Sequence, residues 1–322
     1  MAVNDQEDPQ AASQQMQCME VWGGSQLTNR GVEFSGLDAW VYSKPYQEAE
    51  SGGDIYYASS CATGRISRLL LADVSGHGSK VADMATDLKT LMRRFVNRLD
   101  QTEFVSLLNK QFSEQSRNGI FATAIVTTFF APSRRLIVCN AGHPRPLFYS
   151  VSTKKWELLG DHGDAGDSRL RNLPLGIIPM TEYEQFDVEL QPGDCVVSYT
   201  DALIESLDHE GQELGETGLL KIVLSLGDVE PNRLIETVLK EIGERYPTNL
   251  SEDDVTMLVV QANGRELQVP FQDKLRAAGR FAGSLARAIS PGAERPPFPD
   301  LNLANLGGAL IPALGRRWRA PR

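Results

Sequence analysis

The stretch LLLADVSGHGSKVADMATDLKTLMRRFV, residues 69–96, changes its periodicity once, around a glycine-rich turn. An almost wholly apolar run that begins at Ile66 ends abruptly in Asp73, and Gly76 and Gly78 interrupt the chain before helical spacing begins. Apolar residues spaced to share one helix face follow the turn. We therefore predict a buried strand, an acidic tip, a glycine turn and a helix from Ser79. An acid at the mouth of a buried strand needs a compensating partner, which is either a bound cation or a capping or turn hydrogen bond.

The composition is typical of a soluble globular protein. The chain has 322 residues, of which 41% are apolar and 23% charged, and this length allows one large domain or two small ones. No stretch approaches the roughly 18 consecutive apolar residues of a membrane span, and the N-terminus has no signal-peptide core. We therefore expect a cytoplasmic protein. The four cysteines, Cys18, Cys61, Cys139 and Cys195, show no CxxC spacing, so buried free thiols are expected.

The charge is distributed unevenly along the chain. Residues 271–322 carry nine Lys or Arg against three Asp or Glu, a net charge of +6, so the formal net charge of -10 leaves -16 on the first 270 residues. An acidic body disfavours nonspecific nucleic-acid binding and is compatible with collecting divalent cations. We expect residues 1–19 to be a disordered N-terminus and residues 263–322 to be a basic, largely disordered tail rich in Pro, Gly, Ala and Arg.

Turn residues divide the rest of the chain into strands and helices. A second predicted helix begins at Asp100, which has capping-box spacing to Glu103, and its tight join to the first helix predicts an antiparallel pair. Two further helices are predicted at residues 217–226 and 232–246. Predicted strands, whose short connections imply antiparallel pairing, cover residues 37–44, 55–60, 66–72, 120–130, 135–140, 146–150, 156–159, 186–190, 194–200 and 255–261.

Acidic residues recur where predicted strands meet turns. They are Asp54, Asp73, Asp201, and the pair Asp253 and Asp254. Each one alone is better explained by the frequency of Asp in turns and caps. Together they are the oxygen ligands that Mg²⁺ and Mn²⁺ prefer. A pair of such ions can activate water and neutralise phosphoryl oxygens.

Eight ordered motifs resemble a known family: GGDIYY at 52–57, ADVSGHG at 72–78, FATA at 121–124, CNAGHPRPL at 139–147, LPLGI at 173–177, QPGD at 191–194, YTDALIES at 199–206 and DDVTMLVV at 253–260. Their order and spacing are similar to those of the metal-dependent (PPM-type) serine/threonine phosphatases. The similarity is to the bacterial branch that includes stage II sporulation protein E and the sigma-factor regulator phosphatases, and it covers residues 34–262. It implies an α+β fold in which two packed antiparallel β-sheets are flanked by antiparallel helix pairs, giving α-β-β-α layers within a domain at 20–262.

The resemblance also implies an activity and a site. The reaction would be hydrolysis of phosphoserine or phosphothreonine on a protein by a hydroxide that bridges two divalent ions, Mn²⁺ or Mg²⁺. Asp73 would bridge the ions, with the Val74 carbonyl as a further ligand, and Asp54 would serve one ion. Asp201 and Asp253 would hold the other ion. Asp254 would stand behind the ligands or act as an alternate ligand.

Some motif residues have open roles. His77 is a candidate general acid or a turn residue, and His143 is expected to be a turn or packing residue. Lys44 could meet substrate phosphate or be a solvated strand-end lysine. Relatives usually have glycine where this chain has Ala202, which excludes a glycine-only backbone conformation there without strain.

Partners and alternatives follow from the same resemblance. The expected partner is a phosphorylated protein, for example an anti-sigma antagonist in bacterial partner-switching or sigma-factor regulation. Helices within 79–116 are expected to mediate regulation, through dimerisation or a regulatory partner, and the polar loop 160–172 is expected to select substrate. The alternatives are a catalytically silent scaffold that binds a phosphorylated partner, and a phosphohydrolase that acts on a small molecule.

Overall fold

The computed structural model of the protein describes residues 13–15, 21–60, 65–76, 79–95, 100–115, 119–160, 171–227 and 229–265. The strands in these ranges are β1 (Ser13–Gln15), β2 (Val21–Gly24), β3 (Thr28–Phe34), β4 (Leu37–Lys44), β5 (Asp54–Ser60), β6 (Ile66–Val74), β7 (Ala122–Phe130), β8 (Arg135–Ala141), β9 (Leu147–Ser150), β10 (Lys155–Leu158), β11 (Gln185–Glu189), β12 (Cys195–Tyr199) and β13 (Val255–Ala262). The helices are α1 (Ser79–Phe95), α2 (Gln101–Gln115), α3 (Ala202–Glu205), α4 (Gly215–Ser225) and α5 (Pro231–Gly243), with 3-10 turns at Tyr46–Glu48 and Ala131–Ser133.

The strands form two sheets. The first sheet has seven strands in the order β1-β3-β4-β13-β12-β9-β10, and the second has six in the order β11-β8-β7-β6-β5-β2. Within the described ranges every pairing is antiparallel except that of β1 with β3, which is parallel. The predicted pair of antiparallel sheets is therefore confirmed.

Three apolar cores separate four layers. One core lies between the two sheets and includes Phe34, Leu69 and Phe129. A second core joins α1 and α2 to the outer face of the second sheet. The third joins α3, α4 and α5 to the outer face of the first sheet. The predicted α-β-β-α order of layers follows from these contacts.

The packing of the central strand β6 explains why its residues 69–72 are all apolar. Successive side chains of a strand point to opposite faces. Leu69 and Leu71 lie in the core between the sheets, whereas Leu70 and Ala72 lie in the core under α1 and α2. Because both faces of β6 are covered over residues 69–72, every position there is apolar, whereas the next residue, Asp73, is only partly buried.

The helix pair begins as its sequence predicts. The backbone N–H of Glu103 donates a 2.9 Å hydrogen bond to Oδ1 of Asp100, which satisfies a free amide in the first turn of α2. The apolar face of α1, including Leu88 and Met92, is fully buried against the second sheet. The sequence did not predict β2, β3 or the short helix α3.

The ends of the predicted domain differ from expectation. Ser13–Gln15, within the segment expected to be disordered, pair with β3, so that expectation is wrong for these three residues. Arg265, within the predicted tail, places its guanidinium 2.7 Å from Asp38 and accepts a hydrogen bond from Gly36 at its carbonyl, so the folded part extends to residue 265. The rest of the predicted tail, 266–322, lies outside the described residues.

Two further expectations concern membrane segments and thiols. No helix in the described ranges combines the length and the apolar character needed to cross a membrane. Cys139 and Cys195 are buried free thiols, as predicted, and burial raises the pKa of Cys139 to about 12. Cys18 and Cys61 lie outside the described residues.

Candidate metal centre

The predicted acids lie at one end of both sheets. Asp54, the first residue of β5, is directly opposite Asp73, the penultimate residue of β6. Asp201 follows β12, and Asp253 and Asp254 precede β13, its neighbour in the first sheet. The negative charges of Asp201, Asp253 and Asp254 contribute to a raised pKa of Asp73. The two sheets therefore bring the five predicted acids to the same end of the fold.

Asp54 connects the two sheets through its carboxylate. Its side chain is only 3% exposed. The hydroxyl of Thr200, which follows β12, donates a 2.9 Å hydrogen bond to Oδ2 of Asp54. Burial, followed by repulsion from Asp73, raises the pKa of Asp54 well above its usual range, and the hydrogen bonds from Thr256 and Thr200 act in the opposite direction.

Asp73 and Asp201 also carry unfavourable negative charge. Burial and then the Asp201 carboxylate raise the pKa of Asp73 to about 7. Burial and then Glu205 raise the pKa of Asp201 to about 6. Within the described ranges, no salt bridge joins Asp54, Asp73 or Asp201 to a lysine or arginine. A proton or a divalent cation would relieve this repulsion.

The candidate ligands are all oxygen atoms, which are the donors that Mg²⁺ and Mn²⁺ prefer. Among the described residues, no three Asp, Glu, His or Cys side chains are arranged so that they could hold a metal ion between them. Mg²⁺ usually keeps several waters and is held by one or two carboxylates, whereas structural Zn²⁺ needs about four protein ligands. The all-oxygen chemistry of the site fits the former class.

Both carboxylate oxygens of Asp254 accept hydrogen bonds from backbone N–H groups. Its Oδ1 accepts a 2.6 Å hydrogen bond from the Tyr46 N–H, and its Oδ2 accepts one of 2.6 Å from the Gly53 N–H. A Cβ at Gly52 would lie within 2.3 Å of Oδ1. This geometry favours Asp254 as a residue that fixes the loop before Asp54, one of its two predicted roles.

Gly53 leaves the carbonyl of Val74 accessible. A Cβ at position 53 would lie 2.9 Å from the Val74 oxygen, while the Val74 N–H donates a 3.3 Å hydrogen bond to the Gly53 carbonyl. Glycine in the GGD motif is therefore required by the close approach of these two backbone segments. The predicted use of the Val74 carbonyl as a ligand is compatible with this arrangement.

Two of the other predicted residues lie at the edge of the site, and a third is outside the described chain. Asp253 is exposed, and its Oδ1 accepts a 2.8 Å hydrogen bond from the Asp254 N–H. Lys44 ends β4 opposite Val255, where its side chain is half-buried. His77 lies outside the described residues, as do residues 161–170 of the predicted substrate loop.

The structure adds one acid that the sequence did not single out. Glu205 raises the pKa of both Asp73 and Asp201 through its negative charge. Its backbone N–H donates to the Asp201 carbonyl at 2.8 Å, so it follows Asp201 by one helical turn. The four-residue spacing of Asp201 and Glu205 in YTDALIES could have indicated that the two acids are neighbours. That inference requires a helix at α3, which the sequence did not predict.

The alanine at position 202 causes no backbone strain. Ala202 is the first residue of α3, and Asp201 before it has φ -61° and ψ -28°. Since both residues are in a region open to any amino acid, a glycine is not needed to present the Asp201 carboxylate.

The motif NAGHPRPL forms the crossing from the second sheet to the first. The Asn140 side chain brackets the turn, accepting from the His143 N–H at 2.7 Å and donating to the His143 carbonyl at 2.8 Å. Gly142 has φ +68°, a left-handed conformation that favours glycine. Arg145 places its guanidinium 2.8 Å from Glu216 of α4. These contacts place the ring of His143 in the interior, with 5% exposure.

Comparison with known proteins finds similarity over most of the folded part of the chain. The sequence profile of the family described as Stage II sporulation protein E (SpoIIE) matches residues 64–263. The chain is 21% identical over 194 residues to the phosphoserine phosphatase RsbU of Bacillus subtilis (strain 168), a match that covers 60% of this chain and 55% of that protein. The chain thus spans about half the length of this curated relative.

The fold resembles those of solved structures, among them the following two. The RsbU and RsbW domains of a Mycobacterium tuberculosis protein superpose with a TM-score of 0.62 at 22% identity, covering 82% of this chain and 75% of that one. RsbX, solved in complex with magnesium, gives a TM-score of 0.52 at 17% identity, covering 73% of this chain and 99% of that one. At these identities the likeness establishes the fold alone.

Proposed function

Because the chain belongs to the stage II sporulation protein E family, we propose that it is a metal-dependent phosphatase that removes phosphate from serine or threonine of a protein substrate. The observation that carries the proposal is the convergence of Asp54, Asp73 and Asp201 from two sheets, with raised pKa values and no basic partner among the described residues. The relative RsbU is named a phosphoserine phosphatase.

The proposed ligand set is that of a two-ion centre. Asp73 would contact both ions, Asp54 and the Val74 carbonyl would serve one, and Asp201 and Asp253 the other. RsbX binds magnesium on the same fold, and either Mg²⁺ or Mn²⁺ suits these oxygen donors. When bound, such ions would lower the pKa of water and neutralise phosphoryl oxygens during in-line displacement.

The residues around the ligands have separate tasks in this proposal. Thr200 orients the Asp54 carboxylate through its 2.9 Å hydrogen bond. Asp254 holds the loop that carries Gly53, and thereby fixes where Asp54 starts β5. The burial of these carboxylates excludes water from one side of the centre and leaves the exposed side, at Asp253, for substrate.

We propose a signalling partner for the same reason. The structural relative from Mycobacterium tuberculosis contains RsbU and RsbW domains, which supports a role in bacterial partner-switching, with a phosphorylated antagonist protein as substrate. The packing of α1 and α2 on the second sheet, which carries Asp73, supports regulation through this helix pair.

Phosphate release tests the proposed function. The chelator-treated protein is assayed with a phosphoserine peptide after Mn²⁺ or Mg²⁺ is restored, beside Asp73→Asn and Glu236→Gln. Both substitutions convert an acid to its amide, but Glu236 is exposed on α5, away from the centre. We expect metal-dependent release that is lost in Asp73→Asn and retained in Glu236→Gln.

The alternatives give different results in the same assay. Binding of the phosphopeptide without release, by folded protein and with either metal, would identify a scaffold. Faster release from phosphorylated metabolites than from phosphopeptides would identify a small-molecule phosphohydrolase.

A further inference from the structure

His143 makes a polar contact in the interior, although its sequence context predicts only a turn or packing role. Its Nδ1 lies 2.8 Å from Oγ1 of Thr123 in β7. Its Nε2 is buried and has no hydrogen-bond partner of normal geometry among the described residues. Buried polar atoms nearly always have a hydrogen-bond partner. A buried ring in which only one nitrogen has such a partner is therefore unusual, and its position calls for an explanation.

The ring lies between the two strands that lead to the central carboxylates. Thr123 is directly opposite Asp73 in the pairing of β7 with β6. The backbone of Tyr199, the last residue of β12, lies close enough to the ring to favour its protonated form. Tyr199 is two residues before Asp201. The ring thus makes a polar contact with the second sheet beside Asp73. It lies near the first sheet beside Asp201 without a hydrogen bond of normal geometry to it.

The ring acts as a neutral group. Burial lowers the pKa of His143 to about 3, and the Tyr199 backbone acts in the opposite direction without offsetting it. A neutral imidazole has one N–H donor and one acceptor nitrogen. Because the ring is 5% exposed, it does not reach a substrate and is not a general acid.

The surrounding contacts hold the ring in one place. Both backbone polar groups of His143 are bonded to the Asn140 side chain, and the Tyr199 hydroxyl donates a 2.7 Å hydrogen bond to the Arg145 carbonyl. The crossing segment is therefore tied to β8 on one side and to β12 on the other.

We propose that His143 is a positioning residue that sets the separation of Asp73 and Asp201 by bridging Thr123 of the second sheet and the end of β12 in the first. The inference rests on the proposed function, because the separation of these two carboxylates matters only if both serve a metal centre. In the competing explanation the ring only fills space, and then an apolar side chain of similar size would serve as well.

Matched substitutions separate a polar bridge from a packing ring. His143→Asn keeps a polar atom near the position of Nδ1, whereas His143→Leu has the same branching without polar atoms. Thr123→Val removes the hydroxyl from the other side with almost no change in shape. The three variants and the double variant Thr123→Val with His143→Leu are compared with the wild type by calorimetric titration with Mn²⁺ and by urea unfolding of the metal-free protein.

We expect His143→Leu and Thr123→Val each to weaken Mn²⁺ binding about tenfold, the lower end of the loss found when partners behind metal ligands are changed. His143→Asn should stay within about threefold of the wild type, and the double variant should lose no more than either single variant. If Thr123→Val or folded His143→Leu binds Mn²⁺ within twofold of the wild type, even with reduced stability, the ring is a packing residue and the inference is wrong.

The two hypotheses fail in different ways. If the wild-type protein itself binds neither Mn²⁺ nor Mg²⁺, the proposed metal-dependent function is wrong, and the inference falls with it. If the wild type binds the metal and the variants bind it equally well, only the inference about His143 is overturned.

Discussion

Thr200 donates a 2.9 Å hydrogen bond across the sandwich to Asp54, so that a residue of the first sheet orients a carboxylate of the second. The same hydroxyl accepts a 3.0 Å hydrogen bond from the Thr256 N–H. Because Thr200 directly precedes Asp201, this contact couples the positions of two predicted metal ligands that come from distant parts of the chain.

Removing that hydroxyl should weaken metal binding. In Thr200→Val the Asp54 carboxylate loses a donor that lowers its pKa, so a metal ion must displace a more firmly held proton. A hydrogen bond to a charged group contributes about 1.5 to 3 kcal/mol, and we expect Mn²⁺ affinity at pH 7 to fall about tenfold. Calorimetry checks this, with Thr200→Ser as the control that keeps the hydroxyl. Equal affinities in the Val and Ser variants would contradict the assigned role.

The raised pKa values of the central acids predict how stability depends on pH in metal-free protein. A group whose pKa is raised in the folded state binds more protons when folded than when unfolded, so the free energy of unfolding falls as pH rises through that interval. For Asp73, with a pKa raised from 3.8 to about 7, the loss runs from about pH 4 to pH 7 and is complete above it. Asp201 adds a loss that ends near pH 6.

Urea unfolding in the presence of a chelator measures this slope. In Asp73→Asn the amide has no proton to lose, so this variant should be more stable than the wild type at pH 8. We expect a gain of about 2 kcal/mol in the free energy of unfolding. This is less than the whole pKa shift of Asp73 would give at 1.36 kcal/mol per pKa unit. Glu236→Gln should keep the wild-type slope. Saturating Mn²⁺ should stabilise the wild type at pH 8 by about 2.7 kcal/mol at one hundred times its Kd. A flat profile would show that these acids ionise normally in the folded protein, and a slope of the opposite sign would show that folding lowers their pKa values.

Asp254 should affect stability more than its neighbour Asp253. Asp254→Ala leaves the N–H groups of Tyr46 and Gly53 without their acceptors, and each unsatisfied group costs about 1 to 3 kcal/mol. We expect a loss of about 3 kcal/mol in the free energy of unfolding, and about half of that for Asp254→Asn, which keeps one acceptor oxygen. Asp253→Asn, at an exposed position, should leave metal-free stability nearly unchanged while reducing Mn²⁺ affinity. If the Asp253 variant lost more stability than the Asp254 variants, the roles assigned to the two residues would be wrong.

Gly52 tests the same loop from the backbone side. In Gly52→Ala the new Cβ would fall within 2.3 Å of Oδ1 of Asp254, so the carboxylate must leave its two amide donors. We expect a loss of about 2 kcal/mol in the free energy of unfolding. Gly243→Ala at the end of α5, where a Cβ meets nothing within 4 Å, should be neutral or stabilising by up to about 1 kcal/mol. If Gly52→Ala and Gly243→Ala have the same free energy of unfolding, the close approach at position 52 does not contribute to stability.

Arg145 should influence the substrate side of the centre. Its Nε and backbone N–H donate to the two carboxylate oxygens of Glu216, and its Nη1 lies 3.3 Å from the carbonyl of Gly160, where the predicted substrate loop begins. Lysine cannot reproduce these planar contacts. We expect Arg145→Lys to lose about 2 kcal/mol of stability and to raise KM for a phosphopeptide, with Mn²⁺ affinity unchanged. A changed Mn²⁺ affinity with unchanged KM would assign Arg145 to the metal side instead.

Local sequence patterns predicted most of the elements, because the patterns reflect local geometry. The apolar run before Asp73 and the helical spacing after Ser79 correspond to β6 and α1, and the Asp100 cap marks the start of α2. Strands β2 and β3 were missed because glycines and polar residues interrupt their alternation, so that only pairing with β5 and β4 defines them. The helix α3 was missed because four residues are too few to show a period.

By itself, the sequence determined the order of most strands and helices, the acids at strand ends and the family to which the chain belongs, since these depend on residue types and spacing along the chain. Tertiary structure alone decided the pairing of Asp54 with Asp73, the reach of Thr200 to Asp54, the nearness of Glu205 to Asp73 and the polar contact of His143 with Thr123. Contacts between residues far apart in sequence depend on the register of the strands and on how two sheets pack face to face. No local period encodes that arrangement, because it results from burying the apolar faces of both sheets at once.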